Sequence, residues 1–171
     1  MAVVGFGGLG HLVVQYARAV GGCVLVLTRR AAADRAAMAL ALGAEGVVDT
    51  SREAPAEALR AWEGGADVAL MTAPSTPAAA EAVPGLAPDG TLVVLGVEAG
   101  SITLRPLDLI LGRRRVVGSP TGSRHDVREA LDFAARHGVR PHLTRFALAE
   151  ADQALTRLAS GQLKGRAVLV P

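Results

Sequence analysis

The sequence predicts an α/β fold in which helices cover both faces of a doubly wound parallel sheet. Short apolar runs alternate with stretches of helix length along most of the 171 residues, as in successive strand–helix–strand crossovers. Hydrophobic residues make up 50% of the chain and aromatic residues only 3%, so Ala, Val and Leu must supply most of the core. Such a composition is typical of parallel strands that are buried on both faces.

The first predicted strand, residues 2–4, leads into a glycine-rich turn. Gly5, Gly7 and Gly10 have the spacing Gly-x-Gly-x-x-Gly, and a stretch with helical apolar periodicity follows over 9–20. Gly5 permits a tight turn, Gly7 lets the backbone approach a pyrophosphate, and Gly10 lets the helix pack close to the strand. The helix N-terminus offers free N–H groups to the phosphates. The motif predicts a Rossmann-type dinucleotide site at Gly5, Gly7, Gly8, Leu9 and Gly10, the alternative being an ordinary glycine-rich turn.

The end of the second predicted strand, 23–27, carries the residues expected beside the cofactor ribose. An Asp or Glu about 20 residues after the glycine turn would hydrogen-bond the ribose 2′-OH of NAD. Thr28 stands there instead, followed by Arg29 and Arg30. A hydroxyl and two guanidinium groups can bind a 2′-phosphate, which a carboxylate would repel. The pattern favours NADP(H) over NAD(H); alternatively, both arginines are solvated loop residues.

The next elements keep the alternation of helices and strands. Apolar periodicity and glycine or proline breakers predict helices over 31–42, 55–62 and 77–83 and strands over 46–48, 67–71 and 91–95. Pro88-Asp89-Gly90 is predicted to be a turn before the strand at 91–95. In the last third, helices are predicted over 106–111 and 127–136, with a strand at 115–117 between them.

Three further loops follow the carboxyl ends of predicted strands, where ligands bind in parallel sheets. They are rich in small or turn-forming residues, which allow the backbone to approach a flat ring or a ribose closely. Each of them, taken alone, also suits a plain connecting turn. The loops are Thr72-Ala73-Pro74-Ser75, Gly96-Val97 and Gly118-Ser119-Pro120, and the candidate site residues in them are Thr72, Ala73, Gly96, Val97 and Ser119.

Composition and charge argue against several classes of function. The net charge is +2 and the basic residues are scattered, so a nucleic-acid partner is not expected. The single cysteine, Cys23, lies in an apolar run, which indicates a small core residue and excludes an intrachain disulfide. The N-terminus lacks the charged region of a signal peptide, and no apolar run approaches the roughly 18 residues of a membrane span. We therefore expect a cytoplasmic protein without a membrane partner.

Several segments carry a resemblance to a known family. The sequence Gly-Phe-Gly-Gly-Leu-Gly-His at 5–11, followed by Gln15-Tyr16-Ala17, resembles the coenzyme domain of medium-chain zinc-dependent alcohol dehydrogenases. Segments 42–44, 116–119, 129–134 and 160–168 extend the resemblance, in the family's order, over essentially the whole chain. The Gly-x-x-x-Gly-Arg-x-Val pattern near the end is the most specific of them. Thr28 in place of an acidic residue resembles the NADP(H)-using members of the cinnamyl-alcohol-dehydrogenase type.

The resemblance implies roles for further residues. Arg166 would contact the cofactor pyrophosphate, and Gly96, Val97 and Ser119 would border the nicotinamide. His11 would lie near the phosphates, as a ligand or as a packing residue. Residues 1–142 would form the dinucleotide-binding domain and 143–171 would return to a catalytic domain. The strand at 115–117 would pair with a second copy in a homodimer.

The resemblance also implies a part that this sequence does not contain. In the family, an N-terminal GroES-like domain brings the Cys, His and Glu ligands of the catalytic zinc. Cys23 and the four histidines, at positions 11, 125, 137 and 142, do not have zinc-ligand spacing. Zinc is therefore expected only in a complete family member, and this chain, with no catalytic residue assigned, is expected to bind cofactor with little turnover alone.

The sequence leaves three hypotheses open. The first is the coenzyme-binding half of an alcohol dehydrogenase-type oxidoreductase, which in the complete enzyme moves a hydride between nicotinamide and an alcohol or aldehyde. The second is a stand-alone dinucleotide-binding sensor or regulatory module. The third, a zinc-free quinone or enoyl reductase relative, is disfavoured by Gly118-Ser119 and by the terminal motif.

Overall fold

The computed structural model describes residues 1–29, 31–96 and 98–171, and most of its strands lie in one parallel sheet. The strand order is β3-β2-β1-β4-β5-β6, and each neighbouring pair is parallel. This arrangement confirms the predicted α/β, Rossmann-type fold. The strands are β1 (Ala2–Val4), β2 (Leu25–Thr28), β3 (Gly46–Asp49), β4 (Ala66–Met71), β5 (Leu86–Val94) and β6 (Arg115–Gly118).

Helices connect successive strands and pack on both faces of the sheet. Val3 of β1 packs with Val14 of the first helix, whereas Val4 belongs to a second cluster with Leu59 of the third helix. Adjacent residues of one strand are therefore buried on opposite faces, as the apolar composition predicts. The helices are α1 (Gly10–Ala19), α2 (Ala33–Ala41), α3 (Pro55–Ala61), α4 (Thr76–Ala82), α5 (Pro106–Ile110), α6 (Arg124–His137) and α7 (Ala151–Ala159), with short 3-10 turns at Val83–Gly85 and Leu148–Glu150.

One predicted turn proves to be part of a strand. Pro88-Asp89-Gly90 lies within β5, where the pairing with β4 shifts register between Ala66, opposite Leu86, and Val68, opposite Thr91. Asp89 has a φ of 63°, and its N–H donates to the carbonyl of Gly112 at 2.7 Å. These contacts hold the three residues as a bulge in the strand rather than as a free turn.

Helix α6 begins three residues before its predicted start because a capping box ends the preceding loop. Ser123 Oγ accepts the N–H of Asp126 at 3.3 Å, while the Asp126 carboxylate accepts the N–H of Ser123 at 2.6 Å. The two contacts satisfy backbone donors that a helix start otherwise leaves unpaired. Periodicity alone could not place this start, since the first turn of the helix contains Arg124, His125 and Asp126.

Removing this cap is expected to destabilise the chain measurably. Ser123→Ala deletes the oxygen that accepts the Asp126 N–H, and N-cap losses of this kind cost about 1 kcal/mol. Urea unfolding would measure the change. Thr121→Ala, at an exposed position before the cap, is the matched control and should change the free energy of unfolding by less than about 0.5 kcal/mol. Equal effects of the two variants would contradict the capping role.

The last part of the chain forms a second, smaller sheet. Strands β7 (Leu143–Ala147) and β8 (Arg166–Val170) are parallel and are connected by α7. Phe146, Ala154 and Leu163 form a small buried cluster between them. We call residues 143–171 the C-terminal unit. The domain boundary at residue 142 stays a prediction, since the unit also contacts the glycine turn as described below.

Several large apolar side chains remain exposed in the C-terminal unit and near the edge strand β6. Leu148, Leu155 and Leu158 of the unit are 58–62% exposed. Leu111, after α5, is 80% exposed, and Val117 in β6 is 43% exposed. Among the residues that the structure describes, no helix is both long enough and apolar enough to cross a membrane.

Candidate functional site

Two of the three motif glycines are required by the packing of the chain itself. Gly5 has a φ of +100° and donates its N–H to the carbonyl of Leu27 at 2.8 Å. A Cβ on Gly5 would lie 2.6 Å from the Cβ of Ala73, and one on Gly10 would lie 2.2 Å from the Gly5 carbonyl oxygen. Both distances are impossible for real atoms, so the turn and the start of α1 admit only glycine there.

Gly7 differs from the other two motif glycines. A Cβ at this position would meet no described atom within 4 Å, so the chain's own packing does not require a glycine. Gly8 lies next to it, beneath the side chain of Arg166: a Cβ on Gly8 would approach Cδ and Nη1 of Arg166 to 3.0 Å. The structure thus brings Arg166 to the glycine turn and leaves the surface at Gly7 open.

The N-terminus of α1 has the features of an anion site. The N-cap residue is Leu9, whose side chain has no hydrogen-bonding atom, and the first turn of α1 contains no acidic residue. The N–H groups of His11 and Leu12 donate to the carbonyls of Gly7 and Leu9, but no side chain caps this end and the helix dipole favours a negative charge there. Leu9 itself is 42% exposed.

Thr72 holds the glycine turn in place. Its backbone N–H donates to the carbonyl of Val4 at 2.9 Å, and its hydroxyl donates to the carbonyl of Gly5 at 2.9 Å. The next residue, Ala73, donates its N–H to the same Val4 carbonyl at 3.1 Å. Thr72 and Ala73 therefore fix the position of the turn relative to β4.

A cavity of about 310 Å³ lies beside the turn at the carboxyl ends of β1, β2 and β4. Most of the predicted site residues line it, which brings together segments that are far apart in the sequence. The predicted residues around this cavity are Gly5, Gly7, Gly8, Leu9, Gly10, Thr28, Arg29, Thr72 and Ala73. Two predicted residues, Arg30 and Val97, lie outside the described residues.

Gly96 and Ser119 end neighbouring strands but do not line this cavity. The N–H of Gly96 donates to the carbonyl of Met71 at 2.9 Å, and a Cβ on Gly96 would lie 2.3 Å from the Ala73 carbonyl oxygen. The N–H of Ser119 donates to the carbonyl of Val94 at 3.0 Å. Both residues thus lie at the carboxyl edge of the sheet, farther along it than the glycine turn.

Arg29 lies where three cavities meet. It lines the main cavity, a second of about 360 Å³ with Thr50 and Ser51, and a third of about 440 Å³ with Arg35 and Ser160. Thr28, in contrast, is only 7% exposed. An exposed guanidinium surrounded by hydroxyl groups is an arrangement that binds phosphate oxygens.

An acidic residue on the adjacent strand was not considered in the sequence analysis. Asp49 lies beside Thr28 in the register of β2 and β3. Its Oδ1 accepts the N–H of Ser51 at 2.9 Å and the hydroxyl of Ser51 at 2.6 Å. The Arg52 guanidinium lies 4.0 Å from its Oδ2.

Arg35 is a site residue that the sequence analysis missed. Its two terminal nitrogens donate to the carbonyl of Phe6 in the glycine turn at 2.7 Å and to the carbonyl of Gly161 at 2.8 Å. The residue therefore connects the turn to the C-terminal unit. The one available signal was the pair Asp34-Arg35 in the alanine-rich start of α2.

His11 follows the turn as expected, and the structure gives it a buried bridging position. The side chain is 1% exposed. Nδ1 lies 3.0 Å from the carbonyl oxygen of Gly7, and Nε2 accepts the backbone N–H of His142 at 3.1 Å. Burial lowers the pKa of the imidazole below its ordinary value.

The residues that the structure describes do not form a zinc site. Among the described residues, no group of three or more His, Cys, Asp or Glu side chains could hold a metal ion. His125 pairs with Glu129 at 3.5 Å, and the ring of His137 stacks on Phe133 with centroids 4.1 Å apart. A protein zinc site needs about three ligands that converge on one point.

The interpretation of Cys23 as a core residue of a strand is wrong. Strand β2 begins at Leu25, and Cys23 is half-buried before it. The Cys23 thiol donates to Oε2 of Glu45 at 3.0 Å, and this hydrogen bond to a carboxylate raises the pKa of the thiol.

Comparisons with known proteins identify the family and the fold that the chain shares. A family described as zinc-binding dehydrogenase matches residues 8–136. An alcohol dehydrogenase of Geobacillus stearothermophilus is 35% identical over 99% of the chain and 49% of its own length, and one of Rhizobium meliloti is 37% identical over 98% and 48%. The alcohol dehydrogenase structure from Aeropyrum pernix has a TM-score of 0.89 and 30% identity, over 99% of this chain and 49% of that one. The chain thus spans about half the length of these relatives.

Proposed function

The chain belongs to the zinc-binding dehydrogenase family, and from this premise we propose that it is the coenzyme-binding half of an alcohol dehydrogenase-like oxidoreductase. It binds a nicotinamide dinucleotide at the glycine turn, with NADP(H) preferred to NAD(H). In the complete enzyme, a hydride passes between the nicotinamide and an alcohol or aldehyde. The proposal rests on the site rather than on the fold, since folds of this class serve many functions.

The open surface at Gly7 carries the proposal. Gly5 and Gly10 are needed for packing, but Gly7 is not, so its lack of a side chain matters only to something outside the chain. The start of α1, which no side chain caps, and the guanidinium of Arg166 against Gly8 both lie next to Gly7 in the turn. An open backbone, a helix dipole and a guanidinium together suit a pyrophosphate.

The preference for NADP(H) is supported by Arg29 and its surroundings. Arg29 is exposed at the end of β2 and shares a cavity with the hydroxyl-bearing residues Thr50 and Ser51. The nearby Asp49 carboxylate is already bound by the N–H and the hydroxyl of Ser51. The Asp49 carboxylate keeps its charge, but its oxygens face Ser51 and the Arg52 guanidinium, so a 2′-phosphate would meet the guanidinium of Arg29 and nearby hydroxyl groups.

At the other end of the cofactor, Gly96, Val97 and Ser119 are proposed to border the nicotinamide. Gly96 lies so close to Ala73 that a Cβ there would meet the Ala73 carbonyl oxygen at 2.3 Å, so no side chain projects from the loop at this position. Bound nicotinamide supplies the hydride chemistry, and the residues of this chain hold and orient it. The electrophile that activates the substrate oxygen would come from a separate catalytic domain, because the described residues do not form a metal site.

Two exposed apolar surfaces support proposals about partners. The exposed leucines of the C-terminal unit, Leu148, Leu155 and Leu158, suit contact with a catalytic domain. Strand β6 is an edge of the six-stranded sheet, and Val117 on it is exposed. An edge strand with unpaired backbone groups can extend the sheet across a two-fold axis, so we propose a homodimer through β6.

A fluorescence titration with NADPH and with NADH tests the proposed cofactor site. The wild-type chain is expected to bind NADPH at least about tenfold more tightly than NADH, because one charge-assisted hydrogen bond to the 2′-phosphate contributes about that factor to the affinity. Arg29→Ala should weaken NADPH binding by about the same factor and leave NADH binding unchanged. Arg128→Ala, which removes an exposed arginine of α6, is the matched control. Failure to bind either cofactor would overturn the proposed function, and equal affinity for both would overturn the preference.

A further inference from the structure

The hydrogen bonds of His11 identify its tautomer and its charge. Nδ1 faces the carbonyl oxygen of Gly7 at 3.0 Å, and Nε2 faces the backbone N–H of His142 at 3.1 Å. A carbonyl oxygen only accepts and a backbone N–H only donates, so Nδ1 carries the hydrogen and Nε2 presents its lone pair. His11 is therefore a neutral bridge between the glycine turn and the residue before β7.

His142 also connects His11 to Arg166, whose side chain lies over the glycine turn. The carbonyl of His142 accepts the N–H of Arg166 at 2.9 Å, and the stem of Arg166 lies against Gly8. Gly7, His11, His142, Arg166 and Gly8 thus form a closed circuit of contacts. The central group of the circuit is the His11 ring, which is also its buried titratable group.

We propose that His11 is a positioning residue that holds the glycine turn against the segment around His142 and Arg166, and that its protonation releases this segment from the turn. Protonation places a hydrogen on Nε2, directly opposite the N–H of His142, and two donors at this distance repel each other. The consequence for cofactor affinity rests on the proposed function, whereas the release itself does not.

The groups around His11 determine the direction of its pH response. Burial is the largest cause that lowers its pKa, the hydrogen bond to Gly7 acts in the opposite direction, and the charges of His142 and Arg166 add to the lowering. The folded-state pKa is thus below the ordinary value of 6.5. The stabilisation by neutral His11 is therefore fully present above pH 6.5, and it is lost as the pH falls through the lowered pKa.

Other contacts between the turn and the C-terminal unit do not titrate in this pH range. Arg35 keeps its hydrogen bonds to the backbone carbonyls of Phe6 and Gly161, since a guanidinium stays charged. Lys164 pairs with Asp34 and lowers the pKa of that carboxyl, so the pair also persists. Acidification should therefore release the segment around His142 and Arg166 locally, without unfolding the chain.

Hydrogen exchange measures this release without any cofactor. Protection factors, which remove the intrinsic effect of pH on exchange, are compared at pH 7.5 and 5.5 for residues 139–147 and 164–168. In the wild-type chain, protection should fall about tenfold at the lower pH. His11→Gln places a non-titrating acceptor near the position of Nε2, so its protection should vary by less than about twofold between the two pH values.

Two control variants separate His11 from the other histidines. His125→Gln removes an exposed histidine of α6 and should respond to pH as the wild type does. His142→Gln removes the neighbouring imidazole, whose charge lowers the pKa of His11, but keeps the backbone N–H that contacts His11, so it should keep the response. The proposal is overturned if the wild type shows no loss of protection or if His142→Gln abolishes it.

An NMR titration of the His11 ring protons in the wild type keeps the test decisive if His11→Gln folds poorly. The loss of protection must begin near the ordinary imidazole pKa of 6.5, at which the released ring titrates, and level off where His11 of the folded chain titrates; a loss that levels off elsewhere overturns the proposal. Calorimetry with NADP⁺ at both pH values then tests the link to the cofactor: the ratio of wild-type to His11→Gln affinity should be lower at pH 5.5 than at pH 7.5, by no more than the factor by which protection falls. This ratio cancels the titration of the ligand phosphates. Absence of NADP⁺ binding at pH 7.5 contradicts the proposed function alone, because the exchange result stands independently.

Discussion

Gly10→Ala is expected to lower the free energy of unfolding by about 3 kcal/mol, which is the upper end of the usual range for an overpacked substitution. Gly7→Ala should change it by less than about 0.5 kcal/mol. The added Cβ at Gly10 would lie 2.2 Å from the carbonyl oxygen of Gly5 and 3.1 Å from the hydroxyl of Thr72. The carbonyl belongs to a turn that Thr72 and Leu27 hold by hydrogen bonds, so the turn cannot move away without losing them. Urea unfolding of the two variants would measure the difference.

The same two variants should separate packing from cofactor binding. Gly7→Ala leaves the fold intact but places a methyl group on the surface where the pyrophosphate is proposed to lie. Its affinity for NADPH and for NADH should therefore fall by about tenfold or more, since a steric conflict at a charge-binding surface also removes hydrogen bonds. If Gly7→Ala binds both cofactors as the wild type does, the open surface at Gly7 is not the phosphate site. The observation that carries the proposed function would then be lost.

The sequence predicts the main elements of this fold well because their signals are local. Apolar runs at strand length and helical periodicity depend on neighbouring residues, and the strands β1, β3 and β4 lie where those runs lie. The turn at Pro88-Asp89-Gly90 shows where such signals fail. Its residue types favour a turn, but the hydrogen bond from Asp89 to Gly112 and the ion pair with Arg113 hold it in the strand. These partners are distant in sequence and cannot be inferred from local composition.

The candidate site could be predicted to the extent that residue types reveal it. The glycine turn and Thr28 have characteristic spacing, and Arg166 could be assigned because the terminal motif resembles that of a known family. His11 and Arg35 carry no comparable signal, because their decisive partners are backbone groups. The ring of His11 meets the N–H of His142, and the guanidinium of Arg35 meets the carbonyls of Phe6 and Gly161. Any residue type at those partner positions offers the same backbone atoms.

Arg166→Ala is expected to weaken the binding of NADPH and NADH equally, by about 10- to 100-fold, the range for losing one charge-assisted hydrogen-bonded contact. The two cofactors share the pyrophosphate, and the side chain of Arg166 lies over Gly8 of the glycine turn. The backbone N–H of Arg166 would still donate to His142, so the C-terminal unit should stay in place. Arg166→Lys should recover part of the affinity, since it restores the charge without the planar fork of donors.

Combining Arg166→Ala with Arg29→Ala tests whether the site has two separate phosphate contacts. Arg29 is proposed to bind the 2′-phosphate and Arg166 the pyrophosphate, and substitutions at sites without shared partners act additively. The double variant should therefore lose NADPH affinity by the product of the two single effects, while its NADH affinity should match that of Arg166→Ala alone. A double variant no weaker for NADPH than either single variant would mean that both guanidinium groups bind one phosphate. In that case, the preference for NADP(H) would have to come from residues other than Arg29.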